Sequence, residues 1–441
     1  MKKNAIRLAA GCLMLMVGVT GCTDLTEYNP GGLTSQTVFT TPEGFETLVN
    51  AAYSYTRWWY GKEEGIAMSE MGTDIWTSGA GDENPTLNTY EDLMATQDAI
   101  DSEWEHLYQA LNLVNAGIAG IDKAGLSPAL HDQRLAELRF LRAFYGWHIA
   151  ETWGGPDAGV VFPTEPSKGI VTTATKTPVA EVYDTIFADL DYAVAHLSPT
   201  TDDYGRITKY GAEAFEARMY LTRGENQKAL DAAKDVIDNG GYHLLDDYAD
   251  LWRMDNLQNP EVIWAINYST TKDLNDQRTD FYPGGHKRGG NDSHLFYLSI
   301  YDKSPGMVRD IAYGRPFNRY MPTEYLLDLY GPNDARYQDS FNEVWYSNDP
   351  KGGPGGMQPG DTAILMTRRV VPASESVGKN YQIFDRDSTY NADGTVRDNR
   401  HYPSLTKFLD PTRPSVSEQV SGRDVFVIRL AEMYLIAAEA E

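Results

Sequence analysis

A mostly α-helical scaffold carrying long loop-rich insertions with a few short strands is the fold this sequence predicts, on three observations. Apolar residues recur at three- and four-residue steps through the N-terminal half. An alanine-rich pair of helical stripes around a glycine occupies Tyr210 to Gly240. From Gly241 to Arg423 the texture turns polar and rich in Gly and Pro, with a single clear strand candidate at Val262–Ile266.

The elements follow in order. Trp104, Leu107, Leu111, Val114 and Ile118 mark a helix from about Asp101, and its stripe, Trp104 included, is expected in the core. A second helix from about His131 carries Leu135, Leu138, Leu141, Tyr145 and Ile149, and Trp153-Gly154-Gly155-Pro156 ends it. A third opens at Pro178 and runs through Val182, Ile186, Leu190 and Leu197. In the alanine-rich pair, Gly224 makes the turn, and small residues at the crossing give the logic of a tetratricopeptide hairpin. The spacing is too uneven for a regular solenoid. Helical periodicity returns at Val427 and runs to Ala440; it stops mid-pattern at Glu441, which suggests that the natural chain continues.

Ahead of all this stands an export signal. Lys2, Lys3 and Arg7 precede an apolar run from Leu8 to Val19, too short for a bilayer core that takes about 20 residues. Val19-Thr20-Gly21-Cys22 is a lipoprotein cleavage site, so Cys22 is the expected lipidation site. The expected organisation is a signal peptide over 1–21, a lipidated tether over 22–40 and one domain over 41–441. Within it the scaffold covers mainly 41–240 and 424–441, and the loop-rich insertions cover 60–100 and 241–423. The other cysteine, Cys12, leaves with the signal, so no disulfide and no thiolate chemistry is expected. A net charge of −25 repels phosphate backbones and argues against nucleic acid. The 28 Tyr and 9 Trp suit stacking on sugar rings without requiring it.

Motifs along the chain carry a more specific signal. They are the lipobox; Phe45 with Ala51-Ala52-Tyr53; Glu137 to Ala143 before the Trp153-Gly154-Gly155 stop; Glu181-Val182-Tyr183 with Asp189-Leu190; and Gly205-Arg206-Ile207-Thr208-Lys209. Pro260-Glu261-Val262-Ile263-Trp264, Asp334-Ala335-Arg336-Tyr337 and Arg429 to Ala440 complete the set. In this order they resemble the SusD/RagB family of outer-membrane nutrient-binding lipoproteins. The resemblance implies a SusD-like fold of four irregular tetratricopeptide-like helix pairs plus a loop-rich binding subdomain. It also implies no catalysis, and a lid role over a SusC-like TonB-dependent transporter that receives oligosaccharide, or peptide in RagB-like relatives. Members normally continue past the last helix into another hairpin, which this chain does not include.

Enzyme signatures fail individually. HExxH, GxSxG, a Walker loop and GxGxxG are all missing, and among 63 acidic residues no glycosidase pair can be singled out. Asp385, Asp387, Asn391, Asp393 and Gly394 loosely follow a calcium loop, but Tyr390 stands where such a loop needs glycine. No cofactor is expected, a structural calcium there excepted.

Binding residues are expected in loops. Asp74 and Trp76 lie in a glycine-rich stretch with Gly72, Gly79 and Gly81, where relatives often place a stacking aromatic. Tyr282, Arg288, Asn291 and Tyr297 form a second group, with His286 and Lys287; its cations could meet a uronate or sulfate, or form ion pairs. Trp345, beside Tyr346, is the third. Trp58-Trp59-Tyr60 suits core or transporter contact at least as well. Sugar capture expects Trp76 and Trp345 exposed and coplanar around one cleft, and Trp76→Ala abolishing binding with the fold intact. Peptide capture has no such requirement, and a surface glycoside hydrolase would need a paired-carboxylate cleft.

Overall fold

The computed structural model describes residues 39–155, 158–170, 172–269, 271 and 290–441. Cys22, Tyr282, His286, Lys287 and Arg288 therefore lie outside the described residues.

The scaffold helices are α1 (Pro42–Ser54), α2 (Thr56–Trp59), α3 (Glu63–Glu70), α4 (Asp98–Gly120), α5 (Pro128–Ile149), α6 (Val179–His196), α7 (Lys209–Thr222), α8 (Asn226–Asn239) and α9 (Leu430–Ala440). Their starts follow the sequence: Thr41 and Thr208 accept the amides of Gly44 and Gly211 at the N-termini of α1 and α7. α5 packs between α4 and α6, and α8 packs against both α7 and α9. Phe140, Phe144, Phe215 and Trp264 meet at ring-centroid distances of 5.1 to 5.7 Å and anchor the main core.

Charged residues on α5 stitch these helices together. Arg142 grips Asp189 of α6, and Glu137, with no exposure, takes bonds from Arg134 and from Arg206 at 2.7 Å. Arg139 lies over Tyr192 at 4.2 Å. Trp104 departs from expectation. It is 39 % exposed, with its ring edge-on to Trp153 at 5.2 Å, because the stripe rolls to the surface one turn before Leu107.

Among the described residues, four small sheets hold the loop-rich part. β1 (Trp76–Ser78) pairs with β3 (Tyr320–Pro322), and β2 (Val262–Ile266) with β9 (Val425–Arg429), both antiparallel. β4 (Phe341–Asn342) pairs with β8 (Ser404–Leu405). β5 (Val344–Tyr346), β6 (Thr362–Met366) and β7 (Gln382–Phe384) form the fourth, β7 being parallel to β6. The Val427-Ile428-Arg429 run, expected to be helical, is thus a strand, and α9 begins only at Leu430. Its β-branched residues find a partner in β2, with Trp264 opposite Ile428, and that pairing overrides a run that locally suits either state. Among the described residues no helix is long and apolar enough to cross a membrane.

Candidate functional site

The site is built where the scaffold meets the loop-rich part. α2 delivers Trp59 and Tyr60, then α3 folds back so tightly that a Cβ on Gly65 would sit 2.0 Å from the Trp59 carbonyl oxygen. Only glycine permits that approach. Trp59 donates from Nε1 to Ser69 Oγ at 3.0 Å and lies 4.3 Å from the His148 ring, which the last turn of α5 supplies with Trp147. Facing them are Trp252, Tyr297, Lys407 and Phe408, with Arg423 to Phe426 and Arg429 along the β9 edge. Together they enclose a cavity of about 470 Å³. That falls in the size range of small-ligand sites, which are mainly apolar with a few directed polar groups.

Its opposing wall is an aromatic corner. Trp252 stands perpendicular to Phe408 at 5.9 Å, and Phe408 lies 5.7 Å from Tyr297. Lys407 places its ammonium 4.8 Å from the Trp252 ring centroid and 5.0 Å from that of Phe408. Burial, with Arg429 nearby, pulls its pKa down to about 8, while burial pushes Asp424 up to about 6 and raises Glu70. Burial and then Arg218 hold His148 down at about 3, so it is neutral at physiological pH.

The Nε1–H groups of Trp147 and Trp252 are buried without an acceptor among the described residues, their nitrogens closed off from solvent. The carboxylates are mostly committed. Glu151 accepts from Tyr183 Oη at 2.5 Å, and Asp424 from the Tyr268 amide at 2.8 Å. In two other clefts, of about 480 and 500 Å³, Arg206 is paired with Glu137 and Lys228 with Glu225.

Of the expected site residues, Asn291 and Tyr297 line this cavity. Asn291 is 1 % exposed and its amide is spent on the Arg423 carbonyl and on Ser293, so it shapes the wall. Trp76 is buried in β1, edge-on to Tyr297 at 4.7 Å, and backs the cavity wall from behind. Trp345 is 1 % exposed in a separate core with Tyr301, Met307 and Ile364, because β5 turns it inward and Tyr346 outward. Neither indole offers a face for stacking, and the two do not share a cleft, against expectation. Asp74 is exposed, and its carbonyl accepts from Thr323. In the loop compared with a calcium site, Asp385 accepts from Ser388 and Val371, and Asp393 from Thr395.

Trp147, Trp252, Lys407 and Phe408 escaped sequence reasoning. Trp147 sits in a stripe that reads as scaffold. Trp252 carries the one available signal, an indole between Leu251 and Arg253 in an otherwise polar stretch.

Comparison with known proteins covers both halves of the chain. A model of the SusD family matches residues 260–441, and a model described as "Starch-binding associating with outer membrane" matches residues 44–221. A SusD-like protein P25 of Formosa agariphila is 29 % identical over 199 residues, 44 % of this chain and 37 % of that protein. A SusD-like protein of Bacteroides ovatus is 25 % identical over 287 residues, 61 % of this chain and 50 % of its own length. The chain thus spans half or less of these relatives. Among solved structures, a laminarin-binding SusD-like protein superposes with a TM-score of 0.67 at 20 % identity, over 91 % of this chain and 80 % of that one. A SusD superfamily protein of Parabacteroides distasonis gives 0.65 at 20 % identity, over 92 % and 76 %. Sequence models over both halves and a shared fold over nine-tenths of its length agree: the chain is a SusD-like protein.

Proposed function

We propose that this protein is a non-catalytic, lipid-anchored protein of the outer-membrane surface. In this reading it captures oligosaccharide in the cleft between Trp59 and Trp252 and passes it to a SusC-like TonB-dependent transporter. The observation that carries the reading is the cleft itself: aromatic walls around about 470 Å³, with a few polar side chains set among them. Sugar rings present apolar faces for such walls and hydroxyls for such polar groups. Similarity to proteins described as binding laminarin and xylogluco-oligosaccharide supports a carbohydrate ligand, and the outer-membrane description of the matched model supports the location. Two of the three carboxylates on the cleft are engaged, which disfavours the paired-carboxylate chemistry of a glycosidase.

The test is calorimetry with β-glucan, xyloglucan and starch oligosaccharides, alongside a mixed peptide pool. Each net hydrogen bond contributes about 0.5–1.5 kcal/mol, so affinities from micromolar to millimolar are expected, and Trp252→Ala should remove them. Binding of peptides alone would replace this reading with RagB-like peptide capture. New reducing ends appearing on incubation with polysaccharide would refute the non-catalytic assignment.

A further inference from the structure

We infer that the cleft takes an acidic sugar, a uronate-bearing oligosaccharide whose carboxylate is received by Lys407 beside Trp252. This deepens, and rests on, the carbohydrate reading above.

The protein is strongly acidic, yet the cations of this cleft outnumber the carboxylates free to answer them. Arg429 is paired with Glu261 at 2.6 Å, and Arg423 donates to the carbonyls of Trp252 and Leu409. Lys407 has neither kind of partner. It makes no ion pair or hydrogen bond with the described residues, and its ammonium is held only by the faces of Trp252 and Phe408. Glu70 contributes a field at Lys407 but no bridge. An ammonium kept off its counter-ions and wedged between two rings is poorly solvated, as its lowered pKa reflects.

The ammonium and the two rings that flank it lie on one wall of one cavity. A uronate presents a ring face to that wall and a carboxylate to the ammonium, the counter-ion that Lys407 lacks among the described residues. A neutral sugar would leave the ammonium uncompensated.

Calorimetry on the full chain tests the assignment, comparing oligogalacturonates with neutral galacto-oligosaccharides of equal length, and with sulfated galacto-oligosaccharides. The uronate should bind about tenfold or more tighter than its neutral counterpart, the worth of a charge-assisted bond. Lys407→Met, which keeps the apolar stem, should erase that preference and bring the uronate's affinity down to that of its neutral counterpart. Equal affinity for acidic and neutral sugars, or a preference that survives Lys407→Met, overturns the inference and leaves carbohydrate capture standing. Preference for the sulfate ester over the uronate overturns the carboxylate assignment. No binding of any sugar by the folded protein overturns the reading beneath it.

Discussion

Arg142 and Asp189 form a two-point bridge between helices α5 and α6, with Nε to Oδ2 at 2.7 Å and Nη2 to Oδ1 at 2.9 Å. Both are buried, and the arginine's remaining donor reaches Asn115 and the Thr164 carbonyl at 3.3 Å. Removing one member of such a pair strands the other. Arg142→Ala should therefore cost about 3–5 kcal/mol in urea unfolding. Replacing both by well-packed apolar residues should cost much less. Equal losses for the single and double variants would show that packing alone holds the junction.

A pH effect is expected from Glu216 on α7. Burial, then a hydrogen bond with Asp191, pushes its carboxyl from an ordinary 4.5 up to about 8. The folded chain therefore holds a proton there that the unfolded chain releases between about pH 4.5 and 8. Stability from this group is complete below 4.5 and is lost as pH rises through 8. Glu216→Gln, neutral at every pH, should match the wild type near pH 4.5 and exceed it at pH 8.5 by on the order of 1–2 kcal/mol. Melting curves of both proteins at the two pH values decide it.

Trp345 and Tyr346 are neighbours with opposite fates, and mutation should separate them. Trp345→Ala empties a core site and should cost about 3–5 kcal/mol, while Tyr346→Ala, 51 % exposed, should stay within about 0.5 kcal/mol. Neither should alter sugar affinity at a temperature where both variants are folded. A specific loss of binding in Trp345→Ala would place the ligand in the wrong cleft here.

Gly65 offers a probe of the cleft's geometry. A methyl there meets the Trp59 carbonyl oxygen at 2.0 Å, and backbone must move. Gly65→Ala should destabilise by roughly 1–3 kcal/mol and weaken ligand binding through displacement of Trp59. Intrinsic tryptophan fluorescence and calorimetry would report the two effects separately.

The helices were legible because their stripes are local: Leu107, Leu111 and Val114 need only each other's spacing to announce a buried face. β9 was not, because its partner β2 lies more than a hundred residues away and the Val427 run alone suits either state. The site was read least well, and the glycines explain why. Gly79 and Gly81 suggested an open loop around Trp76. In the fold a Cβ on either would strike the carbonyls of Asn318 and Phe317, at 2.3 and 2.1 Å. They mark close backbone contact, which buries Trp76. Asn291 and Tyr297, from the second expected group, do line the cavity. Lys407 and Trp252 come together only through tertiary folding.

The pairing of β2 with β9 has a consequence for how this architecture can vary. These two strands form a neck: everything from 267 to 424 leaves the scaffold at Ile266 and returns opposite it at Val425. With both ends pinned, lengthening the intervening chain adds little entropic cost, since closure grows only logarithmically with length. The contents of that long excursion, Lys407 and Phe408 included, can be exchanged while the helical frame and the Trp59 wall stay where they are. One half of the cleft is thereby held constant and the other is free to be rewritten for a different ligand.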